Sequence, residues 1–418
     1  MTTMGKYKLL KNETIQVGDI TLYRIIALKD LGDVRKGDKG GFVQSYENLG
    51  EWDLAWVYDN ACVYGDATVK DAAQVSGNAR VFEHASIFGS ACVFDAHVYG
   101  SAQVSDDALL HGSNVEVCDN SAIYGCAKIC NDVKIHDNAQ VFGYADVHGD
   151  AQVYGNACVH GHVRVYCNAK IYENAQVYDE ARVCDNAQIY GQSHVCDNAQ
   201  VLEDARVFGG AKVCGLAKIY GSANVYGGDT LVCDGAQIYG NARVFDNAQI
   251  LDGAQVYNNS QVYGDAQVSD VARVCDFAKV YNNARIYGRA LVNQRAKVHG
   301  NAQVFDKTRV SGSAQVFGNA LIHGCSSVKD ESLVYGDVRI CGSYTLVDKE
   351  AKVYGSAQVF DETRVSDSAQ VFGNALIRGD SFVGGNSLVY DNASVFTSII
   401  SGEAKICGNA SLQSEKLR

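Results

Sequence analysis

AQVYGN, residues 151–156, is a six-residue unit that recurs with small changes along most of the chain. The units that follow it read ACVHGH, VRVYCN, AKIYEN, AQVYDE and ARVCDN. In each unit a small residue and a branched aliphatic residue flank a polar one, so the two apolar side chains point to one side of an extended strand. Glycine, aspartate and asparagine at the end of the unit favour a tight bend. Each unit therefore predicts a short strand followed by a corner.

Strands joined by corners, with one side always apolar, predict an all-β fold: a single-stranded parallel β-solenoid. The absence of proline fits a chain in which nearly every residue donates to a strand ladder. The phase of the repeat holds from about Ala55 to Leu412, with single-residue slips such as the one in GGDTLVCDG, residues 227–235. At about 4.8 Å per stacked strand, the repeat predicts a rod roughly 95 Å long.

The pattern resembles that of the hexapeptide-repeat left-handed β-helix proteins. In that family three units form one triangular coil of about eighteen residues. The resemblance therefore implies a left-handed β-helix, and the hand comes from the resemblance alone.

Residues 1–54 depart from the repeat. KYKLL (6–10) and ITLYRIIAL (20–28) predict the two strands of a hairpin, and we interpret the segment as an N-terminal β cap over the first coil. RIIALKDLGDVRKGDKGGFV (24–43), running into WDLAWVYDNA (52–61), resembles the opening of YdcK-like proteins. These are bacterial and prophage-borne β-helix proteins that are often labelled acyltransferases without a demonstrated activity. The resemblance implies a capped left-handed β-helix and no particular substrate. The predicted domains are the hairpin cap (1–54), the β-helix (55–412) and a short C-terminal tail (413–418).

The strongest signal outside the core is aromatic. In steps of one coil, the residue after the branched one is repeatedly tyrosine or phenylalanine, and only His299 breaks the series. This predicts an aromatic ladder roughly 65 Å long on one edge of the solenoid. Rings at strand spacing would stack between coils, and an exposed strip of this length would also be a docking surface. The candidate binding residues are Tyr154, Tyr172, Tyr190, Phe208, Tyr226, Phe245, Tyr263, Tyr281, Phe317, Tyr335, Tyr354, Phe372 and Tyr390.

Catalytic signals are weak. Hexapeptide-repeat acyltransferases use a histidine as a general base near a loop and a neighbouring subunit, and such a base needs a sheltered site. Most of the ten histidines of this chain stand where other units have tyrosine or cysteine. They include His136, His148, His160 and His299. We therefore predict no catalytic residue and no cofactor, with an acyltransferase whose site lies between subunits as the alternative.

Two groups of ligand-type side chains stand out. Cys158, His160, His162 and Cys167 are close in sequence, but corners separate them, and we predict no metal site there. Three further cysteines follow one another at a spacing of one coil, and thiols stacked at about 5 Å could oxidise. In a reducing compartment we expect them to stay thiols. They are Cys196, Cys214 and Cys233.

The charge and composition of the chain restrict the kinds of partner and the compartment that we expect. A net charge of −12 disfavours nonspecific binding to nucleic acid. The chain has 15 cysteines, an odd number without a pairing pattern, and its N-terminus lacks signal-peptide features. Together these features predict a cytoplasmic protein without membrane contact. Six basic residues share one predicted face: Arg164, Arg182, Lys218, Arg273, Arg309 and Arg364.

These observations favour a non-catalytic structural or binding rod. We predict that it associates with itself or with a protein partner. The association would proceed along the aromatic edge, or end to end through the C-terminal coil.

Overall fold

The structure is a computed structural model that describes residues 5–418. The chain forms two compact units, one ending at Gly209 and the other beginning at Gly210. Each unit consists of strands arranged in three sheets that are parallel apart from the N-terminal strands of the first unit, with equivalent residues of successive coils mostly 18 residues apart. The prediction of an all-β parallel β-solenoid is confirmed, and residues 5–418 contain no α-helix. The left hand that the resemblance implies stays a prediction.

One repeat shows how the sequence builds the coil. Ala151 and Val153 are fully buried, whereas Gln152 between them is half-buried on the outside. The strand pairs in parallel with the next coil, Gln152 opposite Lys170. Gly155 turns the corner with a φ of 72°. Repetition of this arrangement stacks the small and the branched residues into continuous core columns, so each coil is stabilised mainly by its neighbours.

The first unit contains three sheets, which we call its first, second and third faces in chain order. A single-turn 3-10 helix, Tyr46–Asn48, precedes the first regular coil. The first face comprises Tyr7–Val17, Ile20–Ala27, Lys39–Val43, Cys62–Val63, Arg80–Val81, His97–Val98, Glu116–Val117, Lys134–Ile135, Gln152–Val153, Lys170–Ile171, Gln188–Ile189 and Arg206–Gly209. The second comprises Thr68–Val69, Ser86–Ile87, Gln103–Val104, Ala122–Ile123, Gln140–Val141, Cys158–Val159, Gln176–Val177 and His194–Val195. The third comprises Trp56–Val57, Gln74–Ser76, Cys92–Phe94, Leu109–His111, Lys128–Cys130, Asp146–Val147, Arg164–Val165, Arg182–Val183 and Gln200–Val201.

The second unit has three faces in the same phase of the repeat. Its first face comprises Asn224–Gly227, Arg243–Val244, Gln261–Val262, Lys279–Val280, Lys297–Val298, Gln315–Gly318, Leu333–Gly336, Lys352–Gly355, Gln370–Val371, Leu388–Val389 and Lys405–Ile406. Its second comprises Lys212–Val213, Leu231–Val232, Gln249–Ile250, Gln267–Val268, Arg285–Ile286, Gln303–Val304, Leu321–Gly324, Arg339–Gly342, Gln358–Phe360, Leu376–Arg378, Ser394–Phe396 and Ser411–Gln413. Its third comprises Lys218–Ile219, Gln237–Ile238, Gln255–Val256, Arg273–Val274, Leu291–Val292, Arg309–Val310, Ser327–Val328, Leu346–Val347, Arg364–Val365, Phe382–Val383, Ile399–Ile400 and Lys416–Leu417.

The N-terminal strands change the pairing from antiparallel to parallel. Tyr7–Val17 and Ile20–Ala27 form an antiparallel hairpin. Lys39–Val43 pairs antiparallel with Ile20–Ala27 on one side and parallel with Cys62–Val63 on the other. Pairing with the parallel coils thus begins before residue 54, where the sequence predicted the cap to end.

The C-terminal residues continue the solenoid. Lys416–Leu417 pairs in parallel with Ile399–Ile400. The segment 413–418, which the sequence predicted to be a tail, therefore contains a paired strand. The repeat remains regular there because Leu417 takes the branched-aliphatic position of the unit.

Candidate binding surface: the aromatic ladders

The corner after each first-face strand carries the predicted aromatic residues. In the first unit Tyr154 stacks on Tyr172, with ring centroids 4.9 Å apart and planes within 2°. Tyr172 stacks on Tyr190, and Tyr190 stacks on Phe208, each at 4.8 Å. The rings stack because parallel coils repeat the same side-chain position at strand spacing.

The second unit has its own column of ten rings at the equivalent corner. Neighbouring centroids are 4.6–5.0 Å apart, and their planes agree within 10°. His299, which breaks the aromatic series in the sequence, keeps the column intact, since its imidazole stacks on both Tyr281 and Phe317. The column contains Tyr226, Phe245, Tyr263, Tyr281, His299, Phe317, Tyr335, Tyr354, Phe372 and Tyr390.

The ladder of the first unit begins earlier than the sequence predicted. Tyr64, Phe82 and Tyr99 stack at 5.2 and 4.9 Å. His136 stacks on Tyr154 at 4.9 Å. Cys118 holds the ladder position between these two groups of rings. One-residue slips near residue 95 and after residue 106 hide the register, and a step count that allows for them finds these residues.

The ladder rings are half-buried, which differs from the exposed strip expected from the sequence. Each ring covers the face of its neighbour, so stacking hides the ring faces and leaves the edges for contacts outside the column. Burial raises the pKa of Tyr172 to about 12 and also raises the pKa of Tyr154 and Tyr263. The phenols are therefore neutral at physiological pH, and the edge carries hydroxyl groups without charge.

A column of amides runs beside each ladder, two residues after the rings. In the first unit the side chain of Asn138 donates to that of Asn156 at 3.1 Å, and Asn156 donates to Asn174 at 3.0 Å. In the second unit Asn283 donates to Asn301 at 3.1 Å. These hydrogen bonds fix the corner next to the rings, where exposed carboxylates such as Glu173 and Asp246 also stand.

The repeat itself is matched by a known family. The family model of the YdcK beta solenoid repeat matches residues 73–87 and 236–252, one segment in each unit. This chain is a β-solenoid repeat protein whose repeats are similar to those of YdcK. No curated protein matches it. Within residues 5–418 there is no helix of the length and apolar character that a membrane crossing requires.

Several histidines of this YdcK-like solenoid pack as members of ring columns. His148 stacks on Tyr166 at 5.3 Å, and His160 stacks on Phe142 at 4.8 Å. Their places are those of tyrosine and phenylalanine in other coils, as the sequence indicated. The acyltransferase alternative stays a prediction.

The imidazole of His299 makes ladder stability sensitive to pH. Burial lowers the pKa of His299 in the folded protein. Below about pH 6.5 the unfolded chain therefore binds more protons at this residue than the folded chain does. His299 thus lowers the free energy of unfolding in acid and has no such effect above that pH. We expect His299→Tyr, which keeps the ring, to lose less stability than the parent between pH 7 and pH 5. Urea unfolding at a series of pH values measures this, and Tyr281→Phe is the control. Equal acid sensitivity in the parent and in His299→Tyr would contradict the assignment.

The four cysteines and histidines considered for a metal site are not brought together. Cys158 lies on the second face of the first unit, whereas Cys167 lies at the corner after the third face with a φ of 60°. His160 stacks in a ring column and His162 stacks on Tyr144 at 4.7 Å. The corners that separate these residues in sequence also separate them in the structure.

Two of the stacked cysteines are oxidised. Cys214 and Cys233 form a disulfide, with Cα atoms 4.7 Å apart. The expectation of thiols at these two positions is therefore wrong. Neighbouring parallel coils place equivalent Cα atoms at about 4.8 Å, and disulfides join Cα atoms about 4.4–6.8 Å apart. The cytoplasmic location stays a prediction.

The basic residues lie on the third face of each unit. Arg164 and Arg182 are neighbours in the parallel register of the first unit. In the second unit Arg364 is paired with the buried Asp348, Nη2 to Oδ2, at 2.8 Å. The remaining members of the group are Lys218, Arg273 and Arg309.

Proposed function

We propose that this YdcK-like protein is a non-catalytic structural or binding scaffold that associates with a second copy of itself through its aromatic ladders. The regular ring columns support this proposal most directly. Tyrosine and phenylalanine are enriched at the centres of protein interfaces, where they offer large contact areas with little loss of side-chain freedom. A ladder supplies such side chains at every coil.

The periodicity favours a second copy over an irregular partner. Ring centroids in the second unit repeat every 4.6–5.0 Å. A partner makes a favourable contact with every coil only if its own surface repeats at the same distance. Another solenoid of this sequence has that repeat. The phenols and the amide columns of this edge are neutral, so its charge comes from carboxylates such as Glu173 and Asp246.

Loss of three ladder rings is expected to weaken association more than tenfold. The ladder variant carries Tyr154→Ser, Tyr172→Ser and Tyr190→Ser. The matched control carries Tyr220→Ser, Tyr239→Ser and Tyr257→Ser, because these tyrosines also stack at 4.8 Å but follow third-face strands of the second unit. Each stacked pair contributes about 0.5–1.5 kcal/mol, and the ladder variant also loses the pairs with His136 and Phe208, so the fold of both variants is checked. Interface rings that act as hot spots each contribute more than about 1 kcal/mol to binding, so only the ladder variant should dissociate readily.

Sedimentation velocity over a concentration series measures this effect. We expect the ladder variant to shift toward the 45.0 kDa mass of one chain at concentrations where the control still associates. Identical mass distributions for the two variants would refute the ladder as the interface. Circular dichroism confirms that both variants keep the fold.

A further inference from the structure

The ladder of the first unit has one gap, and that gap collects metal-binding side chains. Cys118 replaces a ring at the ladder position between Tyr99 and His136. A cavity of about 330 Å³ opens at this place. Its lining includes Tyr99, Glu116, Cys118, Asp119, Lys134 and His136.

Two carboxylates are held at the corner beside the gap. Asp119 and Asp137 each have a φ of 59° and lie directly above one another in successive coils. Asp119 Oδ2 accepts a hydrogen bond from the backbone N–H of Asp137 at 3.0 Å, and Asp137 Oδ2 accepts one from Gly155 at 2.9 Å. Backbone donors of this kind orient carboxylates, as second-shell partners do in metal sites, and each carboxylate keeps its other oxygen.

The thiol and the imidazole approach these carboxylates closely. Cys118 Sγ lies 3.6 Å from Asp119 Oδ2, and His136 Nδ1 lies 3.3 Å from Asp137 Oδ2. Ligand atoms of Asp119, His136 and Asp137 all lie within 4.8 Å of one another, and Cys118, which is outside this group, contacts it through Asp119. Zinc binds nitrogen and oxygen at about 2.0–2.2 Å and sulfur at about 2.3 Å, so ligand atoms of a tetrahedral site lie about 3.3–3.8 Å apart.

We infer that Cys118, Asp119, His136 and Asp137 bind one Zn²⁺ ion at this corner. Sulfur, imidazole nitrogen and carboxylate oxygen are all ligand types that zinc binds, whereas calcium and magnesium prefer all-oxygen sets. On binding, the Cys118 thiol releases its proton to solvent and coordinates as a thiolate. The ion then links two coils at the place where the ladder has no ring contact.

The surrounding charges agree with a cation. Among the ion pairs of residues 5–418, none joins Asp119 or Asp137 to a lysine or an arginine. Lys134 is paired with Glu116 at 3.1 Å instead. The lysine that lines the cavity is thus already paired with a carboxylate other than Asp119 and Asp137.

The sequence marks this corner as different from similar ones. Cys118–Asp119 and His136–Asp137 occupy the same two positions of successive coils. Another corner brings Cys196 close to Asp179 and Asp197, but a tyrosine precedes Asp179 there, so that group has no imidazole. That group therefore offers sulfur and oxygen donors without the ring nitrogen that His136 provides.

Cobalt binding tests the inference in the full chain. After treatment with a chelator, the protein is titrated with Co²⁺, and zinc affinity follows from displacement. We expect one Co²⁺ per chain with a sulfur-to-cobalt charge-transfer band. Cys118→Ser should abolish that band, and His136→Tyr, which restores a ladder ring, should weaken cobalt binding roughly tenfold or more. The controls are His299→Tyr, a ladder histidine followed by glycine, and Cys184→Ser, whose thiol contacts Asp185 without a histidine in the group.

Two results would overturn the inference. One is the absence of the charge-transfer band in the parent protein. The other is equal cobalt affinity in the parent, Cys118→Ser and His136→Tyr, because the metal would then be bound by other residues. Circular dichroism of the variants separates loss of the ligand from loss of the fold.

Discussion

Val177→Asp is expected to lower the free energy of unfolding of the first unit by about 4 kcal/mol or more. Val177 is fully buried, and its strand pairs with the coils below and above, opposite Val159 and Val195. A carboxylate placed in this column has apolar neighbours on both sides and no hydrogen-bond donor from the core. Burial of an unpaired charge or of a protonated carboxyl without a partner is costly, and the lost valine also leaves poorer packing.

A neighbouring position provides the control for this prediction. Gln176 precedes Val177 on the same strand but points outward and is exposed. Gln176→Asp should change stability by less than about 0.5 kcal/mol, as surface substitutions usually do. Urea unfolding followed by circular dichroism measures both variants. A Val177→Asp protein as stable as the parent would show that this side chain is not in the core.

Gly318→Val is expected to destabilise the second unit by about 2–5 kcal/mol. Gly318 turns a first-face corner with a φ of 74°. A Cβ atom added there would lie 2.6 Å from the backbone nitrogen of Gly336 in the next coil. Valine therefore meets both the left-handed backbone penalty and a steric clash that the stacked coil cannot relieve without shifting.

Two comparison variants separate these contributions. Gly408 has a φ of 65°, and no atom of the described chain lies within 4 Å of an added Cβ, so Gly408→Val should show the backbone penalty alone. Gly318→Asp should be milder than Gly318→Val, because aspartates at such corners accept the N–H of the next coil, as Asp137 does from Gly155. Thermal unfolding of the three variants ranks their losses of stability. Equal losses for Gly318→Val and Gly408→Val would argue against close stacking at this corner.

The solenoid and its ladders were predictable because one six-residue unit encodes both the short strand and the corner that follows it. The alternation in AQVYGN fixes which side chains are buried, and the spacing of one coil fixes which residues stack. Tyr154 and Tyr172 are therefore neighbours in the sequence pattern as well as in the structure. A one-residue slip shifts this register, which is why Tyr64 and Phe82 were missed.

Other features depend on geometry that a repeat does not encode. Half-burial of the rings follows from their parallel stacking, which a list of aromatic positions does not show. The pairing of Lys39–Val43 with strands of both orientations depends on the long-range path of the N-terminal hairpin. The cluster at Cys118 and His136 forms only when corners of successive coils stack on one another, and sequence distance alone suggested a different group of ligands.

The mass of the purified protein in solution over a concentration series tests the central claim most directly. Self-association through the ladders predicts a mass above the 45.0 kDa of one chain that rises with concentration. A mass of one chain at every concentration, including the highest attainable, would contradict it.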